Sequence, residues 1–203
     1  TLDIPALGEG QVLVDIKFSG ICGAQVNQKK GIKIKKQFLP CLMGHEGSGI
    51  IVDVGKNVST VQKGDHVVMH WRKSEGIESE FPTYFSKTSN QQIGSGLITT
   101  FSDMSVVSEN RVTKIDKKHS LEVASLLGCA VTTGFGVINN ELKPDEGGTF
   151  LISGVGGVGI SSIIGAKLNN AKKVIAIDIN EEKLNFSKKI GSTHQIVYKK
   201  NNK

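Results

Sequence analysis

Three residues whose side chains bind metal ions lie in glycine-rich surroundings, far apart along the chain. They are Cys22 in Gly-Ile-Cys-Gly, His45 in Gly-His-Glu-Gly and Cys129 in Leu-Gly-Cys-Ala. Each has an ordinary explanation by itself, since a free Cys is often a small buried hydrophobe and an isolated His is usually only hydrogen-bonded. Widely separated ligands favour a catalytic zinc, because structural zinc usually takes closely spaced Cys pairs. Two Cys and one His would leave a fourth position open.

A second pattern indicates a dinucleotide site. The apolar segment 149–153 runs into Gly-Val-Gly-Gly-Val-Gly, and Asp178 ends the next apolar segment. In a strand–turn–helix unit, Gly154 permits the tight turn, Gly156 lets the backbone approach a pyrophosphate, and Gly159 allows close packing of the helix on the strand. A carboxylate at Asp178 accepts hydrogen bonds from a ribose 2′-hydroxyl and repels a 2′-phosphate, which favours NAD over NADP. The alternative is a glycine-rich turn that binds nothing.

The elements that must position these residues change character near residue 120. Before it, short apolar segments separated by turn residues predict an antiparallel, barrel-like β domain. Its predicted strands cover 12–19, 48–54, 66–71, 98–107 and 112–115.

After that point, strands and helices alternate. The predicted helices are 121–139, which its glycines interrupt, 158–168, and a third between the N-cap Asn180 and Gly191. The predicted strands are 149–153, 173–177 and 195–198. A turn is predicted at 144–148. Three strands make the first half of a doubly wound parallel sheet, which normally has about six. We therefore predict two domains, 1–130 and 131–203.

Composition excludes several classes of protein. The 203 residues are 38% hydrophobic and 22% charged, which is ordinary for a soluble globular chain. No apolar run of about 18 residues and no charged-then-apolar leader is present, so we expect neither a membrane span nor a signal peptide. Three cysteines are an odd number that argues against a disulfide framework and for a reducing compartment, the cytoplasm. Only two of the 25 basic residues are Arg and aromatics are 5%, which argues against nucleic-acid binding.

The chain resembles the zinc-dependent medium-chain alcohol dehydrogenases. The matching motifs follow family order between residues 12 and 197, and include GICG at 20–23, GHEGSG at 44–49, VGKNV at 54–58, KGDHV at 63–67 and GCAVTTGFG at 128–136. The resemblance implies a GroES-like β-rich catalytic domain at 1–130, its first strand missing before Thr1, and the first half of an NAD-binding Rossmann domain at 131–203. It implies that Cys22, His45 and Cys129 bind one catalytic zinc, with Glu46 able to approach the metal during ligand exchange.

Further roles follow from the same resemblance. Thr133 would lie beside the nicotinamide, Lys183 would join Asp178 at the adenosine ribose, and Trp71 falls where the family places a bulky wall of the substrate pocket. A core or barrel-end aromatic would account for Trp71 equally well. The residues of the glycine-rich turn that would hold the cofactor are Gly154, Gly156, Gly157, Val158 and Gly159.

Departures from the family pattern bear on the substrate. Ala24 stands where the family has a Ser or Thr that relays the alcohol proton, Gln25 where it usually has an Asp beside the metal site, and Asn27 where many members end the relay with His. A polyol, a sugar derivative or a primary alcohol, or the matching carbonyl compound, stays open as the substrate, and because Ala24 cannot pass a proton, a polar, hydroxyl-rich one is favoured over a simple alcohol. The segment 73–95 has no Cys, which excludes the family's four-Cys structural zinc; Cys41 is interpreted as a buried hydrophobe.

Two other functions stay open. One is a zinc-free NAD(P)H reductase of quinones or activated alkenes, against which the retained Cys–His–Cys set argues. The other is a nucleotide-binding relative without activity, which Ala24 and Gln25 keep open. The resemblance, together with the six strands with which a doubly wound sheet normally closes, also implies that the sequence is part of a protein of about 340 residues. The resemblance implies a homodimer or homotetramer at full length.

Overall fold

A computed structural model of the chain describes residues 1–32, 39–142 and 146–199. The chain divides into two compact units, Thr1–Cys129 and Ala130–Lys203. The helices and strands of the first unit are β1 (Gln11–Ser19), α1 (Gly23–Lys29), β2 (Glu46–Val54), β3 (His66–His70), β4 (Thr83–Ser86), β5 (Gln91–Gly94), β6 (Met104–Ser108), β7 (Val112–Ile115) and α2 (Leu121–Ala124).

A five-stranded antiparallel sheet, in the order β6-β1-β2-β3-β7, forms the body of the first unit. Alternate residues of these strands point inward to a core that includes Val12, Val14, Ile51, Val67 and Met69. The edge strands β6 and β7 are linked only by the 3₁₀ turn Glu109–Arg111. Because so short a link keeps the two edges adjacent, the sheet must curl on itself. This is the barrel-like arrangement that the sequence predicts.

One predicted strand of this unit is wrong in extent. The segment 98–107 was expected to be a single strand, but β6 begins at Met104. The reason is that Thr99 and Thr100 satisfy their polar groups elsewhere. The Thr99 hydroxyl lies 3.1 Å from that of Ser105, and the Thr100 hydroxyl donates to the Glu46 carbonyl at 3.1 Å. The backbone N–H groups of Thr100 and Phe101 also both donate to the Met43 carbonyl, at 3.1 and 3.0 Å, so they are not available to a strand ladder.

A buried carboxylate fixes the link between the two edge strands. Glu109 is 0% exposed, and its Oε2 accepts hydrogen bonds from the backbone N–H groups of Ser59 and Thr60 and from the Thr60 hydroxyl. Its Oε1 accepts from the Ile77 N–H at 2.8 Å. Burial alone would raise the pKa of this carboxyl, but these N–H donors outweigh it and hold the pKa below its ordinary value. Glu109 is therefore an anion that links its own 3₁₀ turn to the loop of Ser59 and Thr60 and to the loop of Ile77.

Glu109→Gln is expected to lower the free energy of unfolding by about 2–4 kcal/mol at neutral pH, because an amide puts an N–H group against backbone donors. The folded-state pKa of Glu109 lies below the unfolded-state pKa, so its stabilisation is present above the ordinary value of 4.5 and is lost as pH falls through the folded-state pKa. The variant should therefore lose less stability on acidification than the wild type. Urea denaturation at neutral and acidic pH measures both effects.

The exposed Glu75→Gln is the matched control and should unfold like the wild type. Equal urea midpoints for Glu109→Gln and the wild type at neutral pH would contradict the role given to Glu109.

The second unit contains α3 (Ala130–Gly136), a π-helical turn (Val137–Leu142), β8 (Thr149–Ser153), α4 (Gly157–Leu168), β9 (Lys173–Asp178), α5 (Glu181–Ile190) and β10 (His194–Val197). Its three strands are parallel, in the order β10-β9-β8. Helices α4 and α5 bury a core on the sheet that includes Ile152, Ile163, Val174 and Leu184. Helix α5 begins at its predicted N-cap, where the Asn180 side chain accepts from the Lys183 N–H at 3.1 Å.

The predicted helix 121–139 is divided in the structure. The backbone leaves the helical conformation at Cys129, where φ is −145° and ψ is −76°. In the predicted turn 144–148, Glu146 and Gly147 form a turn, and Pro144 and Asp145 lie outside the described residues. In the described ranges no single helix is long and apolar enough to cross a membrane; the segments Leu121–Gly128 and Ala130–Leu142 reach that threshold only when taken together.

Candidate metal and nucleotide sites

Four side chains of the first unit converge on one point. The candidate ligand atoms of Cys22, His45, Glu46 and Cys129 all lie within 4.8 Å of one another. His45 Nε2 is 3.2 Å from Cys129 Sγ. Cys22 directly precedes α1, His45 and Glu46 stand at the start of β2, and Cys129 occupies the break after the 3₁₀ turn Ser125–Gly128. The structure thus brings together all the metal-site residues that the sequence predicts.

Close backbone approach makes this convergence possible. A Cβ at Gly128 would lie 2.2 Å from the Met69 carbonyl oxygen and 2.9 Å from Glu46 Cα, so the turn before Cys129 lies directly against β2 and β3. The Glu46 carbonyl in turn lies 3.1 Å from both the Ser19 and the Thr100 hydroxyls. The backbone of Glu46 is therefore fixed on one side by close packing against Gly128 and on the other by these two hydrogen bonds.

The electrostatics of the cluster favour a bound cation. Burial raises the pKa of the Cys129 thiol to about 12, and the charges of Cys22 and Glu46 act in the same direction, while a hydrogen bond from Trp71 opposes them. Burial also lowers the pKa of His45, so its neutral form is favoured. Thiolates and a carboxylate crowded together are stable as anions only beside a positive charge, which a coordinated metal ion supplies. Two sulfurs, one imidazole nitrogen and a nearby carboxylate fit Zn²⁺.

Trp71 contacts this cluster and is not part of the core. It directly follows β3, its side chain is 43% exposed, and it hydrogen-bonds Cys129. Its carbonyl accepts a hydrogen bond from the guanidinium of Arg111, which is 3% exposed and also pairs with Glu78. Arg111 was not among the predicted site residues. It is one of only two Arg residues among the 25 basic residues of the chain, and this rarity was the available signal.

Helix α1 contains all three departures from the family pattern, Ala24, Gln25 and Asn27. Ala24 is exposed in its first turn, and its methyl group offers neither a hydrogen-bond donor nor an acceptor. Gln25 is buried, and its Nε2 lies 2.8 Å from His45 Nδ1. Cys41 lies outside the cluster, and it is half-buried rather than fully buried as expected, with Sγ 3.8 Å from Gln28 Nε2.

The glycine-rich turn of the second unit has the geometry of an anion site. Gly154 has φ of +91°, which an L-residue rarely adopts, and a Cβ at Gly159 would lie 1.9 Å from the Gly154 carbonyl oxygen. Gly156 is the N-cap of α4 and has no side-chain cap. Nothing lies within 4 Å of the position where its Cβ would be. The N–H groups of the first turn of α4, which includes Gly157 and Val158, are therefore open to phosphate oxygens.

Asp178 lies beside this turn at the end of β9. Its Oδ2 accepts from the Val155 N–H at 2.6 Å and its Oδ1 from the Asn180 N–H at 2.9 Å. These bonds, together with the charge of Lys183, hold the pKa of Asp178 below its ordinary value. A cavity of about 400 Å³ opens over it, and Tyr198 is part of the lining. Tyr198 was not among the predicted site residues, although it ends the third predicted strand.

Thr133 lies in α3, which packs on α4 within the second unit. A Cβ at Gly134, the next residue, would lie 2.5 Å from Ser161 Cβ and from the Val158 carbonyl oxygen. The Ser162 hydroxyl donates to the Gly134 carbonyl at 3.3 Å. Thr133 is therefore held next to the first turns of the helix that follows the glycine-rich turn.

Comparison with known proteins gives the fold a family. Residues 8–117, more than half of the chain, match the family model described as the alcohol dehydrogenase GroES-like domain. The chain belongs to the zinc-dependent medium-chain alcohol dehydrogenase family. The antiparallel sheet of the first unit is the GroES-like part of that fold, and the parallel β10-β9-β8 sheet is the Rossmann part.

Individual members of the family differ considerably from this chain. S-(hydroxymethyl)glutathione dehydrogenase of Saccharomyces cerevisiae is 34% identical over 95% of the chain and 55% of its own length. The crystal structure of benzyl alcohol dehydrogenase from Acinetobacter calcoaceticus matches with a TM-score of 0.82, at 30% identity, over 97% of this chain and 59% of that one. An alcohol dehydrogenase zinc-binding domain protein from Burkholderia ambifaria matches with a TM-score of 0.87, at 26% identity and the same coverage. The chain thus spans little more than half the length of these relatives.

Proposed function

We propose that this chain carries the metal site and the coenzyme site of a dehydrogenase that transfers a hydride between NAD and an alcohol, a polyol or the matching carbonyl compound. The observation that supports it most strongly is the convergence of Cys22, His45, Glu46 and Cys129 within 4.8 Å. A metal-free reductase of quinones or alkenes has no need of such a donor set. Zinc held there would act as a Lewis acid on the substrate oxygen.

The protein's own groups supply binding and orientation. Cys22, His45 and Cys129 would hold one catalytic zinc, with Glu46 in reach for ligand exchange. The exposed indole of Trp71 would form a wall of the substrate pocket. The exposed methyl of Ala24 offers no proton relay at its position, so a hydroxyl of a polar substrate or water would carry the alcohol proton. This supports a hydroxyl-rich substrate.

In the second unit, the open first turn of α4 would bind the pyrophosphate of NAD, which supplies the hydride chemistry. Asp178 and Lys183 would bind the adenosine ribose, and Thr133 would lie near the nicotinamide. We further propose domains at 1–130 and 131–203, a dimer or tetramer for the whole protein, and work in the cytoplasm, where thiol ligands stay reduced.

The test measures metal content and NAD-linked turnover of the purified protein together. We expect one zinc per chain by elemental analysis and NAD reduction with members of a panel of primary alcohols and polyols. An active protein without metal would disprove the zinc mechanism. Nucleotide binding without turnover over the whole panel, including carbonyl compounds with NADH, would favour a non-catalytic relative.

Asp178→Ala is expected to reduce the preference for NAD over NADP at least about tenfold, or about 1.4 kcal/mol, because it removes the carboxylate that binds a 2′-hydroxyl and repels a 2′-phosphate. Dissociation constants for both nucleotides measure the change. Glu181→Ala removes an exposed carboxylate from the first turn of α5 and is the control for net charge. If both variants change the ratio equally, Asp178 does not select the cofactor.

A further inference from the structure

The residue that α1 buries is polar. Gln25 is 6% exposed and is the one buried residue of this helix. Its backbone N–H donates to the Cys22 carbonyl at 3.0 Å, which fixes its position relative to the first thiol. Its side-chain Nε2 lies 2.8 Å from His45 Nδ1. The other amide atom, Oε1, is buried and has no hydrogen-bond partner among the described residues.

These contacts determine where the hydrogen of His45 lies. A neutral imidazole has one N–H, so one ring nitrogen donates and the other accepts. When Gln25 Nε2 donates to Nδ1, the hydrogen must be on Nε2, which then donates to Cys129 Sγ at 3.2 Å. In this tautomer Nε2, the ring nitrogen that faces the cluster, has no lone pair for a metal ion.

Metal binding through Nε2 requires the other tautomer. The hydrogen is then on Nδ1, which needs an acceptor to hold the ring in place. A half-turn of the Gln25 amide brings Oε1 to the position of Nε2 and provides that acceptor. No described residue bonds the far amide atom, so the half-turn breaks no other hydrogen bond. Among the described residues, the contact with His45 is therefore the hydrogen bond that distinguishes the two orientations of the amide.

We propose that Gln25 is a positioning residue that serves both tautomers of His45. It donates to Nδ1 in the metal-free cluster and accepts from Nδ1–H when a metal ion is bound. This inference rests on the proposed zinc function. A carboxylate at the same position could only accept, and would hold His45 in the metal-binding tautomer at all times. Compared with a carboxylate, Gln25 therefore stabilises the metal-free cluster. As a result, the bound metal ion is released more easily.

The test compares the wild type with Gln25→Glu, which keeps the length and only accepts, and Gln25→Met, which keeps the shape and forms no such bond. Zinc affinity is measured by competition with a chromophoric chelator. The tautomer of His45 is read from long-range proton–nitrogen NMR correlations, in which each of the five histidines gives a separate pattern. Spectra are recorded with and without zinc.

In the wild type we expect hydrogen on Nε2 without zinc and on Nδ1 with zinc. Gln25→Glu should show Nδ1–H in both states and bind zinc at least as tightly as the wild type, whereas Gln25→Met should bind about 10–100-fold more weakly. The same tautomer in both wild-type spectra, or wild-type affinity in Gln25→Met, would overturn the inference. The two wild-type spectra test the inference even if Gln25→Met does not fold. A wild type that binds no zinc would overturn the proposed function as well, so the two failures are distinct.

Discussion

His45→Ala and Cys129→Ser are each expected to abolish stoichiometric zinc binding. Both residues supply a donor atom to a cluster whose other candidate ligand atoms lie within 4.8 Å. Loss of an outer hydrogen-bond partner weakens metal binding about 10–100-fold. Loss of a direct ligand should reduce the zinc affinity by more than this. Dialysis against a fixed free zinc concentration, followed by elemental analysis, measures the occupancy.

Cys41→Ser is the matched control for these variants. It also removes a thiol, but one that is half-buried rather than buried and lies outside the cluster. It should keep one zinc per chain. Stoichiometric zinc in Cys129→Ser, or equal zinc loss in Cys41→Ser and Cys129→Ser, would contradict the assignment of the site.

The second large effect concerns the glycine-rich turn, where two alanine substitutions should act in different ways. Gly159→Ala places a methyl group 1.9 Å from the Gly154 carbonyl oxygen, so it should destabilise the second unit by about 3 kcal/mol or more. Gly156→Ala meets nothing within 4 Å and should leave the stability nearly unchanged. Its methyl group would, however, enter the space in front of the α4 N-terminus, where a pyrophosphate would lie. We expect its affinity for NAD to fall at least about tenfold.

Thermal unfolding and a nucleotide titration distinguish the two outcomes. Gly156→Ala should unfold like the wild type and bind NAD weakly, whereas Gly159→Ala should unfold earlier even without nucleotide. If Gly156→Ala binds NAD as tightly as the wild type, the phosphates do not lie at this helix end. Gly136→Ala lies in the same unit but outside the glycine-rich turn, and its Cβ would meet only the Asn140 side chain, at 3.8 Å, so it controls for the addition of a methyl group to a glycine.

Much of the fold could be predicted because apolar periodicity and turn residues agree at most elements. Strands β1 to β3 and the β8-α4-β9 unit lie within about two residues of their predicted bounds. The hairpin of β4 and β5 was not predicted, since its strands are short and partly polar. It is held through Tyr84, whose buried hydroxyl accepts from the Val106 N–H at 2.8 Å. A bond between residues so far apart has no signal in a single sequence.

The nucleotide site could be predicted from its glycine-rich motif, whereas the assignment of the three metal ligands to one site depended on the family resemblance. No spacing rule brings Cys22, His45 and Cys129 together, because they come from a helix start, a strand start and a helix break. The role of Gln25 could not be predicted either, since an amide in place of a carboxylate was simply a departure from the pattern. Its meaning depends on a hydrogen bond to His45 and on a buried oxygen that has no partner among the residues the structure describes.

Trp71 is the sole tryptophan of the chain, and its indole hydrogen-bonds the sulfur of Cys129. Intrinsic fluorescence excited selectively at indole therefore comes from one place, the edge of the metal cluster. The guanidinium of Arg72 lies 5.6 Å from the centre of its ring, so the emission is also sensitive to charge on the solvent side. The protein thus has a built-in optical reporter. Binding of a metal ion or a substrate analogue can therefore be followed in the wild type without a label.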